Sequence, residues 1–258
     1  MNNRIEPILS LEGLTMVFGG LIAVNDFNFQ LQDGDLAGLI GPNGAGKTTI
    51  FNMITGQYIP TKGKVDFMNQ ELNHLPPHTI TSLGIARTFQ NIRLFGNLSV
   101  LDNVLVSFQK DLKKTFFSAM WETPGYIRQE KAMREEGKQL LEAVGLLNLE
   151  EEAKNLPYGQ QRRLEIARAL ATHPKLLLLD EPAAGMNPHE TMDLMSFIQR
   201  IRREFNLTIL LIEHDMKVVM GICEKVAVMD FGIKIAEGTP NEIRNNPKVI
   251  EAYLGVEG

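Results

Sequence analysis

The stretch LAGLIGPNGAGKTTIFNMITG, residues 36–56, constrains this chain more than any other. A short apolar run enters a glycine-rich turn and leaves it as an apolar-periodic segment, which reads as strand, phosphate cradle and helix. The spacing from Gly41 to Gly46, Lys47 and Thr48 fits G-x-x-x-x-G-K-[ST], in which small residues let successive backbone N–H groups curl around an anion. Lys47 is placed to reach β- and γ-phosphates. Thr48 offers a hydroxyl to Mg²⁺, and the following helix N-terminus adds its partial positive charge to the same phosphates. Gly44 and Gly46 admit backbone angles and close approaches that a Cβ would obstruct. A glycine turn that merely happens to contain lysine is the competing reading, and the flanking strand and helix argue against it.

With 258 residues and 44% hydrophobic content, the chain can bury a large core as one α/β domain, with or without a subdomain. The single cysteine, Cys223, excludes an internal disulfide; a reducing interior and a buried, inert thiol are expected. The opening MNNRIEPILSLEG has no long apolar core, and the apolar runs LLLL and ILLI fall far short of a bilayer span, so the chain is expected to be soluble by itself. A formal charge of −5 argues against a surface built mainly for nucleic acid.

Upstream of the cradle, LSLEGLTMVF and AVNDFNFQLQ read as two half-buried strands joined by Gly19-Gly20, and QDGD turns into the buried strand before the cradle. Antiparallel strands therefore precede a parallel core. Phe18, just before the Gly-Gly pair, could stack on a purine or serve as an ordinary core or turn residue. Downstream, TGQYIPTKGKVDFMNQ reads as a helix end, a turn and a strand. LPPHTITSLGIARTFQ reads as a short helix returning to a strand that ends at Gln90. From Asn91 to about Asn155 the text is helix-compatible and charged, divided by Pro124-Gly125, and LDNVLVSF and EEGKQLLEAVGLL carry apolar residues at helical spacing. The aromatic cluster FFSAMWETPGY is expected to pack inside this insertion rather than to form a ligand site, with a protein partner for part of it as the alternative.

In LPYGQQRRLEIARAL the apolar face is Leu164, Ala167, Leu170 and Ala171, with Arg162, Arg163 and Arg168 mostly off it. KLLLLDEP is a buried parallel strand ending in two acids, Asp180 and Glu181. The helical HETMDLMSFIQRIRREF and the strand LTILLIEHD, with His214 at its exit, repeat the α/β pattern. KVAVMDFGIKIAEG reads as two short strands about Asp230-Phe231-Gly232. A closing helix starts at TPNE, with Thr239 as cap, Pro240 in the first turn and Glu242 completing a capping box.

Acids at the C-terminal end of an apolar strand lie where ligands gather in open α/β sheets. Asp180 is placed to hold Mg²⁺ through water, and Glu181 to orient or deprotonate an attacking water, since phosphoryl transfer consists mainly of positioning and charge stabilisation. A strand-end acidic pair that only caps the next turn is the alternative.

Taken together, these residues resemble the ATP-binding subunits of ABC transporters over nearly the whole chain. GPNGAGKTT, contributing Gly41, Pro42, Asn43, Gly44, Ala45, Gly46, Lys47, Thr48 and Thr49, is similar to the Walker A cradle; LPYGQ, with Gly159 and Gln160, to the signature; and LLLLDE to Walker B with its catalytic glutamate. AGMN resembles the D-loop, and His214 the switch histidine. The resemblance implies ATP and Mg²⁺ as cofactors, Phe18 as an adenine-stacking residue, and Gln90 as a sensor touching both Mg²⁺ and the face that docks membrane helices. It also implies the ABC ATPase fold: an α/β P-loop NTPase (RecA-like) core, an N-terminal antiparallel β subdomain and an inserted α-helical subdomain. Within a single domain of residues 1–258, it places the ATP-binding core at 1–90 and 160–240, the signature-bearing helical subdomain at 91–159 and a C-terminal helix at 240–258.

RTFQNIRLF, LPYGQQRRLEIARAL, EPAAGMNP, LLIEHDM and GTPNEIRNNPKVIEAYLG are similar, more narrowly, to the larger ATPase subunit of branched-chain amino-acid importers. That resemblance implies a second, homologous ATP-binding subunit (or a second copy in isolation), two transmembrane permeases, an external solute-binding protein and no nucleic acid. The implied location is the cytoplasmic face of the inner membrane. An importer of urea or amides, an exporter subunit, a soluble ABC ATPase and a non-hydrolysing ATP-binding subunit are the alternatives. Two residues depart from the usual L-S-G-G-Q signature, Pro157 for Ser and Tyr158 for Gly, and Asn187 stands where the D-loop usually has Asp. The signature change removes a hydroxyl and one backbone donor that would face phosphate.

Overall fold

A computed structural model describes residues 6–108 and 124–254. The chain forms two compact units, residues 1–87 with 175–258, and residues 88–174.

The first unit is built on two sheets. β1 (Leu9–Phe18) and β2 (Leu21–Leu31) form the expected hairpin, and β4 (Lys62–Phe67) and β5 (Gln70–Glu71) extend it in the antiparallel order β2-β1-β4-β5. The second sheet has the order β10-β9-β3-β8-β7-β6, from β3 (Leu36–Ile40), β6 (Ile85–Arg87), β7 (Leu176–Asp180), β8 (Thr208–Ile212), β9 (Lys225–Asp230) and β10 (Ile233–Gly238). Its pairs are parallel except for the β9–β10 hairpin. Every residue of β3, β7 and β8 is buried, as continuous apolar strands covered on both faces must be.

One face of β3 carries Ala37 and Leu39 into a cluster with Ile50 and Phe51 of α1 (Lys47–Ile54) and with Phe27, Phe29 and Phe67 of the antiparallel sheet. On the other face Gly38 admits a close helix: a Cβ there would meet Val219 Cγ1 at 3.1 Å and Cys223 Sγ at 3.2 Å, at α7 (Met216–Ile222). Cys223 is itself buried and burial pushes its thiol pKa up, in keeping with an inert side chain. α6 (Pro188–Glu204) buries Leu194, Phe197, Ile198 and Ile201 on one stripe, and Asn187 caps it by accepting the His189 and Glu190 N–H groups in a capping box.

Two expectations about element ends are corrected. β6 stops at Arg87, three residues before Gln90, and the backbone then finds side-chain partners instead of a ladder: the Phe89 N–H donates to Glu165 and the Phe89 and Gln90 carbonyls accept from Arg162. The closing segment is two helices, α8 (Pro240–Arg244) and α9 (Pro247–Leu254). Pro247 has no N–H and disfavours helical geometry at Asn246, so the first helix ends and Asn246, accepting the Lys248 N–H at 3.0 Å, starts the second. The Thr239–Glu242 capping box of α8 is present as expected.

After α2 (Pro77–Leu83) and β6, the second unit is helical: α3 (Val100–Leu105), α4 (Pro124–Ala143) and α5 (Tyr158–Leu170). Leu101, Val104, Leu140, Leu141, Val144 and Leu164 are buried there. Pro124 takes the first position of α4, where its missing N–H costs nothing. The side chains of the aromatic cluster at 116–126 lie outside the described residues.

Arg162 is not off the buried face of α5 as its spacing implied; its side chain is fully buried. The guanidinium is tolerated because it pairs with Glu165 at 2.7 Å and donates to the Phe89 and Gln90 carbonyls at 2.8 and 2.9 Å. Burial raises the Glu165 pKa, and the Arg162 charge opposes that rise.

Candidate active site

β3 delivers the chain to Gly41, whose φ of 149° belongs to glycine. A Cβ at Gly41 would come within 2.1 Å of the Met229 carbonyl, and one at Gly46 within 2.5 Å of the Ala23 carbonyl. The turn is therefore pressed against strands of both sheets, β9 at Gly41 and β2 at Gly46, and only glycine fits at either end. At Gly44 a Cβ would meet nothing within 4 Å, which leaves the crest of the turn open. Gly46 is the N-cap of α1 and no side chain caps it, so the first-turn N–H groups of Lys47, Thr48 and Thr49 are left for an external acceptor.

Lys47 folds back over the turn. Its Nζ donates to the Gly41 carbonyl at 2.7 Å and the Pro42 carbonyl at 2.9 Å. Burial lowers its pKa, and the charges of Glu181 and Asp180 oppose that lowering, so the lysine and both carboxylates share one electrostatic neighbourhood. This is the sense in which the fold brings the cradle and the acidic strand end together.

Asp180 ends β7 and is nearly buried. Its Oδ2 lies 2.6 Å from Arg87 Nη2, and Arg87 Nη1 donates to Asn52 Oδ1 of α1, also at 2.6 Å. Arg87 thereby ties the end of β6 to both β7 and α1. Glu181, one residue on, holds φ of 45°, a left-handed conformation uncommon for a residue with a Cβ. Its N–H donates to the Ile212 carbonyl at 2.9 Å, which brings its side chain beside the exit of β8. There His214 Nδ1 lies 3.6 Å from Glu181 Oε2. A concavity of about 940 Å³ opens against the cradle, bordered by Gly41 to Ala45 and by His214, Phe231 and Tyr253.

The remaining candidates belong to other elements. Phe18 ends β1 on the antiparallel sheet, is 40% exposed, and meets Tyr58 edge-on with ring centroids 5.2 Å apart. Gln90, Gly159 and Gln160 belong to the second unit; Gln90 is held through its carbonyl by Arg162, and the other two occupy the first turn of α5. Sequence reading passed over Arg87, Asn52, Glu213 and the Arg162–Glu165 pair. Only a lone arginine closing an otherwise apolar strand at IAR, and the acid before His214, were there to signal them.

A glycine cradle opening a helix, facing two carboxylates and a histidine at the ends of neighbouring parallel strands, defines a P-loop nucleoside triphosphatase. The description ABC transporter matches residues 24–184, and the chain belongs to that family as an ATP-binding subunit and ATPase. A further description, Branched-chain amino acid ATP-binding cassette transporter, matches residues 234–258. The chain is 50% identical to the high-affinity branched-chain amino acid transport ATP-binding protein LivG of Escherichia coli K12, over 97% of this chain and 98% of that one. It is 49% identical to the corresponding protein BraF of Pseudomonas aeruginosa, over the same shares. Among solved structures, the ADP conformation of MJ1267, an ATP-binding cassette of an ABC transporter, superposes with a TM-score of 0.85 at 32% identity, covering 97% of this chain and 99% of that one. Among the described residues no helix is long and apolar enough to cross a membrane.

Proposed function

We propose that this chain binds Mg²⁺–ATP and hydrolyses it to drive an importer of branched-chain amino acids. The observation that carries the hydrolytic reading is the convergence of Lys47, Asp180, Glu181 and His214 at the C-terminal ends of neighbouring strands. The N–H groups between Asn43 and Thr49 cradle the phosphates, and Lys47 exchanges its carbonyl partners for β- and γ-phosphate oxygens. Glu181 orients and deprotonates the attacking water, and His214, beside it, holds the γ-phosphate end. Phe18 stacks on the adenine.

The residues present fit Mg²⁺, which prefers oxygen and keeps several waters: the Thr48 hydroxyl and, through water, the Asp180 carboxylate would hold it, and the family resemblance adds Gln90. When bound, that ion neutralises charge developing on the phosphates. Gly159 and Gln160 of this chain would act on a nucleotide held by another ATPase subunit.

The solute follows from similarity rather than from any side chain in the site. The match over residues 234–258 and the identity to LivG and BraF support it. The partners are then a second, homologous ATPase, two transmembrane permeases that seat this chain on the cytoplasmic face of the membrane, and an external binding protein. The test is uptake: membranes carrying the permeases, both ATPases and the binding protein should accumulate leucine with ATP, and Glu181→Gln should abolish accumulation. Leucine uptake that is unchanged by Glu181→Gln overturns the coupling role, and transport of another solute class in place of branched-chain amino acids overturns the solute assignment.

A further inference from the structure

Glu181 occupies a backbone conformation that persists only where neighbouring structure holds it. Two hydrogen bonds from β8 and its exit do so. The Glu181 N–H donates to the Ile212 carbonyl, and two residues on, the Ala183 N–H donates to Glu213 Oε1 at 2.9 Å. The first bond is backbone to backbone and available to any sequence. The second depends on one side chain.

That side chain is unusual. Glu213 is 1% exposed, and among the described residues its Oε2 is buried without a hydrogen-bond partner. Burial raises its pKa, opposed by the N–H groups of Ala183 and Asp215 and by His214, while the charge of Glu181 adds to the rise. A half-paired buried carboxyl is costly compared with an apolar residue of the same size, so stability does not explain it. Glu213 immediately precedes His214 and touches the loop that immediately follows Glu181. It therefore joins the two segments whose side chains face each other at 3.6 Å.

We infer that Glu213 is a positioning residue for hydrolysis: by binding the Ala183 N–H it clamps the loop after Glu181 onto the exit of β8 and sets Glu181 against His214. It touches no substrate. The inference rests on the reading of Glu181 as the base. Without the clamp the loop keeps its Ile212 bond but loses the side-chain anchor from Glu213, and the strained conformation of Glu181 loses one of its supports. Displacements of about 1 Å at a reacting group cost up to roughly 100-fold in rate.

The experiment measures kcat, KM for ATP and Tm in the full chain for Glu213→Met, Glu213→Asp, Glu213→Gln and, alongside, Glu181→Gln. Glu213→Met keeps the length but removes the acceptor, and Glu213→Asp keeps the acid but withdraws it by one methylene. Both should lose kcat by roughly 10- to 100-fold with KM unchanged. Glu213→Gln keeps an acceptor at the same reach and should return most of the lost kcat. Wild-type kcat in Glu213→Met or Glu213→Asp overturns the inference, as do equal losses in Gln and Met or a loss carried by KM. If Glu213→Met does not fold, the Gln and Asp pair decides in the same way. Should Glu181→Gln itself keep full turnover, the base assignment fails instead; should it abolish turnover while the Glu213 variants retain theirs, only the clamp fails.

Discussion

The strand exits of the six-stranded sheet and the N-terminal end of α5 treat polar groups in opposite ways. At β3, β7 and β8 the functional groups are already engaged: Lys47 on two carbonyls, Asp180 on Arg87, and Glu181 on the Ile212 carbonyl. At α5 the N-cap is Pro157, no side chain caps the helix, and Gly159 faces open space. A site that completes its own hydrogen bonds is assembled by folding. A helix end without a side-chain cap, at α5 as at α1, can take an acceptor from outside. Lys47, Asp180, Glu181 and His214 therefore belong to one unit, whereas the proposed role of the signature is to act on a nucleotide that another subunit presents, with one hydroxyl and one backbone donor fewer than usual.

Breaking the engaged end should have the largest effect. Arg87 and Asp180 are both about 6% exposed in their side chains, so Arg87→Met leaves a buried carboxylate without its cation. Chemical denaturation should report a loss of about 3–5 kcal/mol; a loss as small as that of a surface pair would show that Asp180 does not depend on Arg87. Next comes Lys47→Ala, which removes the cation meant for phosphate, worth about 1.5–3 kcal/mol. Calorimetry should show ATP affinity falling by roughly 10- to 100-fold, and full affinity would contradict the cradle assignment.

The smallest effect concerns Asn187, the D-loop departure. It caps α6 by accepting two N–H groups at 3.0 Å each. Asn187→Ala should cost about 1 kcal/mol in thermal unfolding, while Asn187→Asp, an equally good cap, should be close to neutral. A large loss from Asn187→Asp would mean that the amide serves something other than the cap.

The placement of the cradle, Asp180, Glu181 and His214 was legible in the sequence because each sits at the end of a continuous apolar strand, and local spacing puts such residues at one edge of a parallel sheet. The hairpin of β1 and β2 was legible from alternation about a glycine pair. What escaped was polar pairing between distant segments. Arg87 meets Asp180 across 93 residues, and Arg162 reaches the Phe89 carbonyl across 73. Helical periodicity treats an arginine as a solvent-facing residue. It contains nothing about carbonyls arriving from another part of the chain, which is why periodicity misplaces Arg162 and carries β6 three residues too far. The split of the closing helix was legible in principle, since Asn246-Pro247 carries both the cap and the break.

The difference between the two ends predicts unequal sites when this chain pairs with an ATPase bearing a serine-glycine signature. One composite site would join this chain's cradle, Asp180, Glu181 and His214 to an intact signature, and the other would join the second subunit's cradle to Pro157, Tyr158 and Gly159. A donor lost from charged phosphate is worth about 1.5–3 kcal/mol, a factor of roughly ten or more where the contact tightens in the transition state. The most direct measurement replaces each catalytic glutamate with glutamine in turn within the assembled transporter and compares single-turnover ATP hydrolysis. Glu181→Gln should remove the larger share of turnover, by roughly tenfold over the same substitution in the second subunit. Equal losses from the two substitutions would contradict the account.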